Sequence, residues 1–374
     1  MISILRKINL YEATKAFRAS CELFNNKKNN LCNSSFKKFS SCQETITGRK
    51  YVIQNKFCGF PKECDLKIVE EVMPEPQEGQ FLCESIFISV DPYQRAYEQN
   101  EGDVMIGSQV ARVLISKNPC YPEGSYIVGY YGWKTHHVFD NSQSGLAIPT
   151  MIIPESLDMP KSFFLGVLGM PGVTANFGFL EICQPKPCET VIVTGAAGAV
   201  GSIVGQIAKI KNCYVIGVVG SQEKGCWITR NLGFDGYINY KEDDICECLN
   251  ELAPNGIDCY FDNVGGEISS QILRHMNTNG RISVCGAISA YNSTEEEKAT
   301  IIQKSMIFNE LKMEGFLVTR WVDRWDDAVT ENAQWLKEGK LSTRETVTKG
   351  FENTFKAFTD MLSGANFGKA IVEL

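Results

Sequence analysis

The chain has 374 residues, 44% of them hydrophobic and 22% charged. That composition excludes a wholly disordered chain, a collagen and a coiled coil, and at about 100–200 residues per domain it points to two domains. The formal charge of −7 argues against a nucleic-acid footprint, which needs a basic surface.

The charge is uneven along the chain. Residues 1–47 hold eight Lys and Arg against three acids, and the remainder holds 29 against 41. Ile4, Leu5, Ile8 and Tyr11 recur at helical spacing with Arg6, Lys7, Lys15 and Arg18 between them. A basic amphipathic start poor in acids resembles a mitochondrial transit peptide. A disordered extension, or an upstream stretch included by a wrong start codon, gives the same pattern. The globular part is expected to begin near Arg49, where "RKYVIQNKF" starts a strand pattern.

From Arg49 to about Thr135 the chain reads as short strands broken by Gly and Pro, including "CDLKIVEEVM", "GQFLCESIFISV" and "QVARVLISK". This is all-β material, expected to form a partly open barrel. Asp91-Pro92 is read as a helix start, with Asp91 capping the free N–H groups. From Thr190 the period changes. "TVIVTG", "CYVIGVVG", "GYINY", "IDCYFDNVG" and "GRISVCG" are strands, with helical stretches between them. Alternation of this kind implies a doubly wound parallel sheet, so the fold class is α/β. "MEGFLV" and a helix with Trp325 and Trp335 continue the unit, and the last stretch is expected to fold back on the β domain. The eighteen uncharged residues Val191–Ala208 contain four glycines and read as a buried strand–turn–helix, not a membrane span.

Fifteen cysteines could suggest disulfides or zinc. An odd number, spread along the chain without a C-x-x-C, reads instead as free thiols in a reducing compartment. That implies a cytoplasmic protein, or a mitochondrial one should residues 1–47 act as a transit peptide. With only three histidines, His136, His137 and His275, no metal site is expected.

The strongest motif is "VIVTGAAGAVGSIVGQIAK". A β-branched strand runs into Gly195-x-x-Gly198-x-x-Gly201 and then a helix. Glycines permit a tight turn and close approach of a pyrophosphate, and the helix N-terminus offers free N–H groups to its charge. An NAD enzyme places an acid about 20 residues past the glycines to bind the ribose 2′-OH. Ser221 stands there, followed by Lys224. This favours a 2′-phosphate and therefore NADP(H). Glu223 is the competing acid, expected to point to solvent.

"SVDPYQR", "GMPGVTANFGFLEI", "TGAAGAVGS", "GSQEK", "DCYFDNVGGE", "CGAISAYN" and "GANFGK" together resemble the prostaglandin reductase family, which includes leukotriene 12-hydroxydehydrogenase and 15-oxoprostaglandin 13-reductase. It belongs to the zinc-independent medium-chain dehydrogenase/reductases. The resemblance runs from about residue 50 to 374 and implies a GroES-like catalytic domain (48–168 and 345–374) beside a Rossmann NADP-binding domain (169–344). It implies NADPH-dependent reduction of the carbon–carbon double bond of α,β-unsaturated ketones and aldehydes, and, by analogy with relatives, a homodimer. No nucleic-acid or membrane partner is expected.

By resemblance, the turn Ala197, Gly198, Ala199, Val200 and Gly201 lines the pyrophosphate. Ser221, Lys224 and Tyr240 lie at the adenosine and 2′-phosphate end. Asn263, the loop Cys285, Gly286, Ala287, Ile288 and Ser289, the run Phe316, Leu317 and Val318, and Asn366 approach the nicotinamide half. Hydride attack at the β-carbon builds an enolate, which needs a hydrogen-bond donor aimed at its oxygen. Tyr291 and Tyr93 are the candidates, because a phenol with an ordinary pKa near 10 donates while neutral. Tyr291 is preferred because it ends a loop at the carboxyl edge of the sheet. The acidic stretch after Tyr291 and Thr319, beside Arg320-Trp321, depart from relatives and bear on the substrate. His136, Cys259, Cys285 as a thiol, and the Glu295–Glu297 run are read as structural. A quinone reductase of the same fold and a cofactor-holding protein without catalysis are the competing readings.

Overall fold

The structure is a computed structural model that describes residues 45–139, 148–295 and 300–374. The transit-peptide reading falls almost wholly on residues outside these, as do Glu296 and Glu297 of the acidic run.

The amino-terminal part is β-rich. Strand β1 (Thr47–Ile53) pairs antiparallel with β2 (Leu66–Val72). Strands β3 (Phe81–Val90), β4 (Gln109–Ser116), β5 (Tyr126–Gly129), β6 (His136–Phe139) and β7 (Met151–Ile152) form a larger sheet in which β6 packs alongside β3.

The second sheet comprises β8 (Thr190–Thr194), β9 (Tyr214–Val219), β10 (Gly236–Asn239), β11 (Ile257–Asp262), β12 (Met276–Val284) and β13 (Lys312–Gly315), all parallel, in the order β10-β9-β8-β11-β12-β13. The unbroken apolar run Val191–Val193 is fully buried, as a strand covered by helices on both faces requires. The helices between the strands start where the sequence supplies caps. Ser221 Oγ accepts from Lys224 N at the head of Gln222–Leu232, and Asp244 Oδ1 accepts from Glu247 N at the head of Ile245–Leu252. The chain runs outward from β8 to β9 and β10, then crosses back to β11. The carboxyl ends of β8 and β11 therefore flank the crevice where this topology binds ligands.

The last stretch returns to the first sheet. Strand β14 (Glu345–Lys349) pairs with β15 (Lys369–Glu373), and β15 pairs antiparallel with β3, setting Ala370 opposite Val90. One apolar core spans both sheets, joining Val110 and Val128 to Val191, Val193 and Ile371. Among the described residues no helix is long and apolar enough to cross a membrane.

One local expectation fails. Asp91 does not cap the short helix Tyr93–Ala96. Pro92 occupies the cap position, and no side chain bonds the first turn. The Asp91 carboxylate is taken instead by Ser89 Oγ and the buried Lys369 ammonium, and a charge-assisted bond to a buried cation outweighs a cap to a neutral N–H.

Candidate active site

The turn after β8 is built from backbone. Gly195 has φ +61°, a conformation that favours glycine. A Cβ on Gly201 would lie 2.4 Å from the Gly195 carbonyl oxygen, so helix and turn meet as closely as glycine permits. A Cβ on Gly198 would meet only that oxygen, at 3.2 Å. The helix Gly201–Ile210 opens at Val200 with no side-chain cap, which leaves its amide end available to an anion. From the other sheet, Gly368 N donates to Ala197 O at 2.8 Å.

Twenty residues on, Gly220 and Ser221 follow the end of β9. A Cβ on Gly220 would lie 3.2 Å from the Tyr240 hydroxyl, so Tyr240 flanks this strand end. Lys224 is half-buried, and its Nζ donates to Gly364 O at 2.6 Å. Burial and the neighbouring Lys241 push its pKa below the ordinary lysine value. Two cations thus share the strand end, while Glu223 is exposed. Phe367 packs edge-on to Trp227 at 5.7 Å, with Arg344 over its ring at 4.2 Å. Asn366 Nδ2 donates to Gly368 O within the same turn.

At the crevice, Asn263 ties the two central strands together. Its N donates to Thr194 Oγ1 at 3.0 Å and its Nδ2 to Thr194 O at 2.7 Å. The loop after β12 is laid onto this corner. Cys285 N and Gly286 N donate to Asp262 O, Ile288 N donates to Asn263 O, and Ser289 N and Oγ donate to Val264 O. Tyr291 closes the loop, its hydroxyl accepting from Ala287 N at 3.2 Å. Burial raises the Tyr291 pKa above its ordinary value. Burial beside Asp262 pushes the Cys285 thiol up to about 12, so it stays protonated.

Tyr93 approaches from the other sheet. Its hydroxyl is buried and has no hydrogen-bond partner among the described residues. Its pKa is well above the ordinary value, chiefly from burial, with Asp91, Tyr130 and Tyr97 adding to the rise. Tyr97 stands edge-on to it at 6.0 Å and also acts on Tyr291. Arg95 Nε donates to Asn292 Oδ1 at 3.0 Å, joining the Tyr93 turn to the Tyr291 loop. Tyr97 and the Arg95–Asn292 bond therefore link the element that carries Tyr93 to the loop that carries Tyr291.

The run 316–318 is divided. Phe316 packs against Trp321 and Phe261, whereas Leu317 is 65% exposed. Leu317 lines a shallow depression with Gly315, Phe316, Thr319 and Arg320. His136 sits half-buried on β6, bonded to Thr135 Oγ1. Cys259 is buried in β11.

Sequence reasoning missed Tyr97, Tyr130, the Arg95–Asn292 bond and the pairing of Asp91 with Lys369. The motifs "SVDPYQR" and "GANFGK" contain Asp91, Arg95 and Lys369, but neither string says what its members touch.

Residues 49–146 match a family described as the N-terminal domain of oxidoreductase, and residues 199–335 one described as zinc-binding dehydrogenase. Prostaglandin reductase 1 of Oryctolagus cuniculus is 44% identical, over 87% of this chain and 93% of that protein. The 2-alkenal reductase (NADP(+)-dependent) of Nicotiana tabacum is 36% identical, over 88% and 98%. The crystal structure of CurA in complex with NADPH from Vibrio vulnificus matches with a TM-score of 0.81 at 35% identity, over 87% and 98%. The zinc implied by the second family description finds no donor set among the described residues. Among the described residues no three His, Cys, Asp or Glu side chains gather where they could hold a metal ion.

Proposed function

Because the chain belongs to the prostaglandin reductase family of NADP-dependent oxidoreductases, we propose that it reduces the carbon–carbon double bond of α,β-unsaturated ketones and aldehydes and that Tyr291 stabilises the enolate. The chain is an NADP-dependent double-bond reductase of the prostaglandin and alkenal reductase type. Its residues fit the cofactor: an uncapped helix end beside Gly198 for the pyrophosphate, and the Lys224 and Lys241 cations for the 2′-phosphate.

The observation that carries the reading is the Tyr291 hydroxyl. It accepts from Ala287 N, and that bond uses its lone pair while leaving its proton free to donate. When bound, NADPH supplies the hydride that adds to the β-carbon of the substrate. Tyr291 donates to the carbonyl oxygen as negative charge builds there, which lowers the barrier. The raised pKa keeps it a donor at neutral pH. Tyr93, a buried hydroxyl without a partner, is the second donor, and a substrate oxygen would satisfy it. Asn263, the 285–289 loop and Asn366 shape the nicotinamide half.

The test is NADPH oxidation across a 15-oxoprostaglandin, alkenals and quinones, with wild type and Tyr291→Phe. Enone and enal turnover should fall roughly 10²-fold or more in the variant with NADPH affinity retained. Equal loss of quinone turnover would remove the specific role of the tyrosine. A wild type that holds NADPH yet turns over nothing would leave a cofactor-holding protein.

The edge strand β13, paired only with β12 among the described residues and flanked by exposed Ile307, Phe308 and Leu317, supports a homodimer. Light scattering should give twice the chain mass. The same reading assigns 48–168 with 345–374 to the catalytic domain and 169–344 to cofactor binding.

A further inference from the structure

Lys369 is a lysine at 2% exposure, paired with Asp91 at 3%. Its ammonium spends all three protons inside the protein, on Val90 O at 2.7 Å, Asp91 Oδ1 at 2.9 Å and Ala370 O at 2.9 Å. A buried ion pair of this kind contributes little net stability, because desolvation offsets the attraction. Its geometry, however, is fixed by three bonds at once.

Lys369 follows Gly368 directly. Gly368 N donates to Ala197 O at 2.8 Å, and Gly368 forms a parallel bridge with Gly198. A Cβ there would strike Arg344 O at 2.0 Å, and its φ is +61°; the main chain is held on both sides, by Gly368 N on Ala197 O and by Lys369 N on Arg344 O at 2.9 Å. At the other end of the side chain, Asp91 is held by Ser89 Oγ, and its N–H is clamped by Gln94 Oε1 at 2.9 Å. Pro92, with φ −60°, removes slack between Asp91 and Tyr93. An unbroken path of short bonds therefore runs from the glycine turn through Gly368 and Lys369 to the turn that carries Tyr93.

We propose that Lys369 is a positioning residue that couples occupancy of the glycine turn to the placement of the Tyr93 turn. Cofactor in the crevice sets Gly368, Gly368 sets Lys369, and Lys369 sets Val90 and Asp91. The substrate side is then complete only when the cofactor side is filled. The coupling is reciprocal, so an enone bound beside Tyr93 tightens NADPH by the same factor. The proposal rests on the reading of Tyr93 as a substrate-side donor, but its test has one readout that does not.

Lys369→Met alone would strand the buried Asp91 carboxylate and could unfold the protein, so the variant is Lys369→Met with Asp91→Asn, in the full chain. Hydrogen exchange of the Gln94, Arg95 and Tyr97 amides is followed with and without NADPH. In wild type, NADPH should slow exchange in the 198–205 segment and in these three amides. In the double variant it should slow the first and not the second, with the KM for a short alkenal raised about tenfold and NADPH affinity in the absence of substrate little changed. Wild-type amides that ignore NADPH, or a double variant that keeps their protection, would overturn the coupling. Tyr93→Phe with full turnover, alongside protection lost in the double variant, would support the coupling and remove only the donor role of Tyr93.

Discussion

Around the glycine turn, the walls of the crevice are largely main chain: the 195–201 turn, an uncapped helix end, and the Gly220 strand end with Lys224 and Lys241 beside it. Around the tyrosines, they are side chains far apart in the chain. Tyr93 and Tyr97 stand on one sheet's turn and Tyr291 on a loop of the other, brought together by Arg95 and Asn292. At Gly201 the backbone site has no room for added volume, whereas at Gly198 a Cβ would meet a single oxygen. The side-chain site carries an unsatisfied hydroxyl, so it is not at its stability optimum, as is common where binding is the purpose.

The sharpest way to break this contrast lies in two neighbouring glycines. Gly201→Ala drives a methyl into the Gly195 carbonyl. It should cost about 1–3 kcal/mol of stability and abolish NADPH retention, read by thermal melts and equilibrium dialysis. Gly198→Ala, with only a 3.2 Å contact to absorb, should keep the melting temperature and weaken NADPH. If both melt alike, the turn does not impose the packing limit claimed for it.

Lys224→Ala tests the cation pair. Losing one charge-assisted bond, worth about 1.5–3 kcal/mol, should weaken NADPH roughly ten- to hundredfold and leave NADH unchanged. Equal loss for both nucleotides in a titration would place Lys224 elsewhere than at the 2′-phosphate.

Tyr93→Phe should move stability in the opposite direction. It removes a buried, unbonded hydroxyl and should stabilise the apo protein by about 1 kcal/mol in denaturant melts while reducing turnover. A destabilised variant would mean that the hydroxyl has a partner.

The smallest effect concerns pH. Burial raises Tyr291 above its ordinary value of 10.0, so the donor survives past the pH at which an exposed tyrosine ionises. Turnover should lack a falling limb at pH 10. The unfolded chain loses this proton first, so stability begins to fall as pH rises above about 10. A limb that appears at lower pH and survives in Tyr291→Phe would belong to another group.

The two halves were not equally legible in the sequence. The strand–turn–helix that carries the glycines, Ser221 and Lys224 is legible because spacing fixes its geometry locally. Tyr93 and Tyr291 come only through resemblance to a family, and the expected Asp91 cap does not form. A local rule could not see a lysine 278 positions away.

The order of strands and helices, the two-part architecture and the nucleotide turn follow from periodicity and glycine placement, since these rest on contacts between near neighbours. The meeting of Lys369 with Asp91 and of Arg95 with Asn292 was decided only when β15 returned to β3 and the two sheets closed on each other. Side-chain pairing across the chain is set by packing and desolvation, which no short stretch of sequence contains.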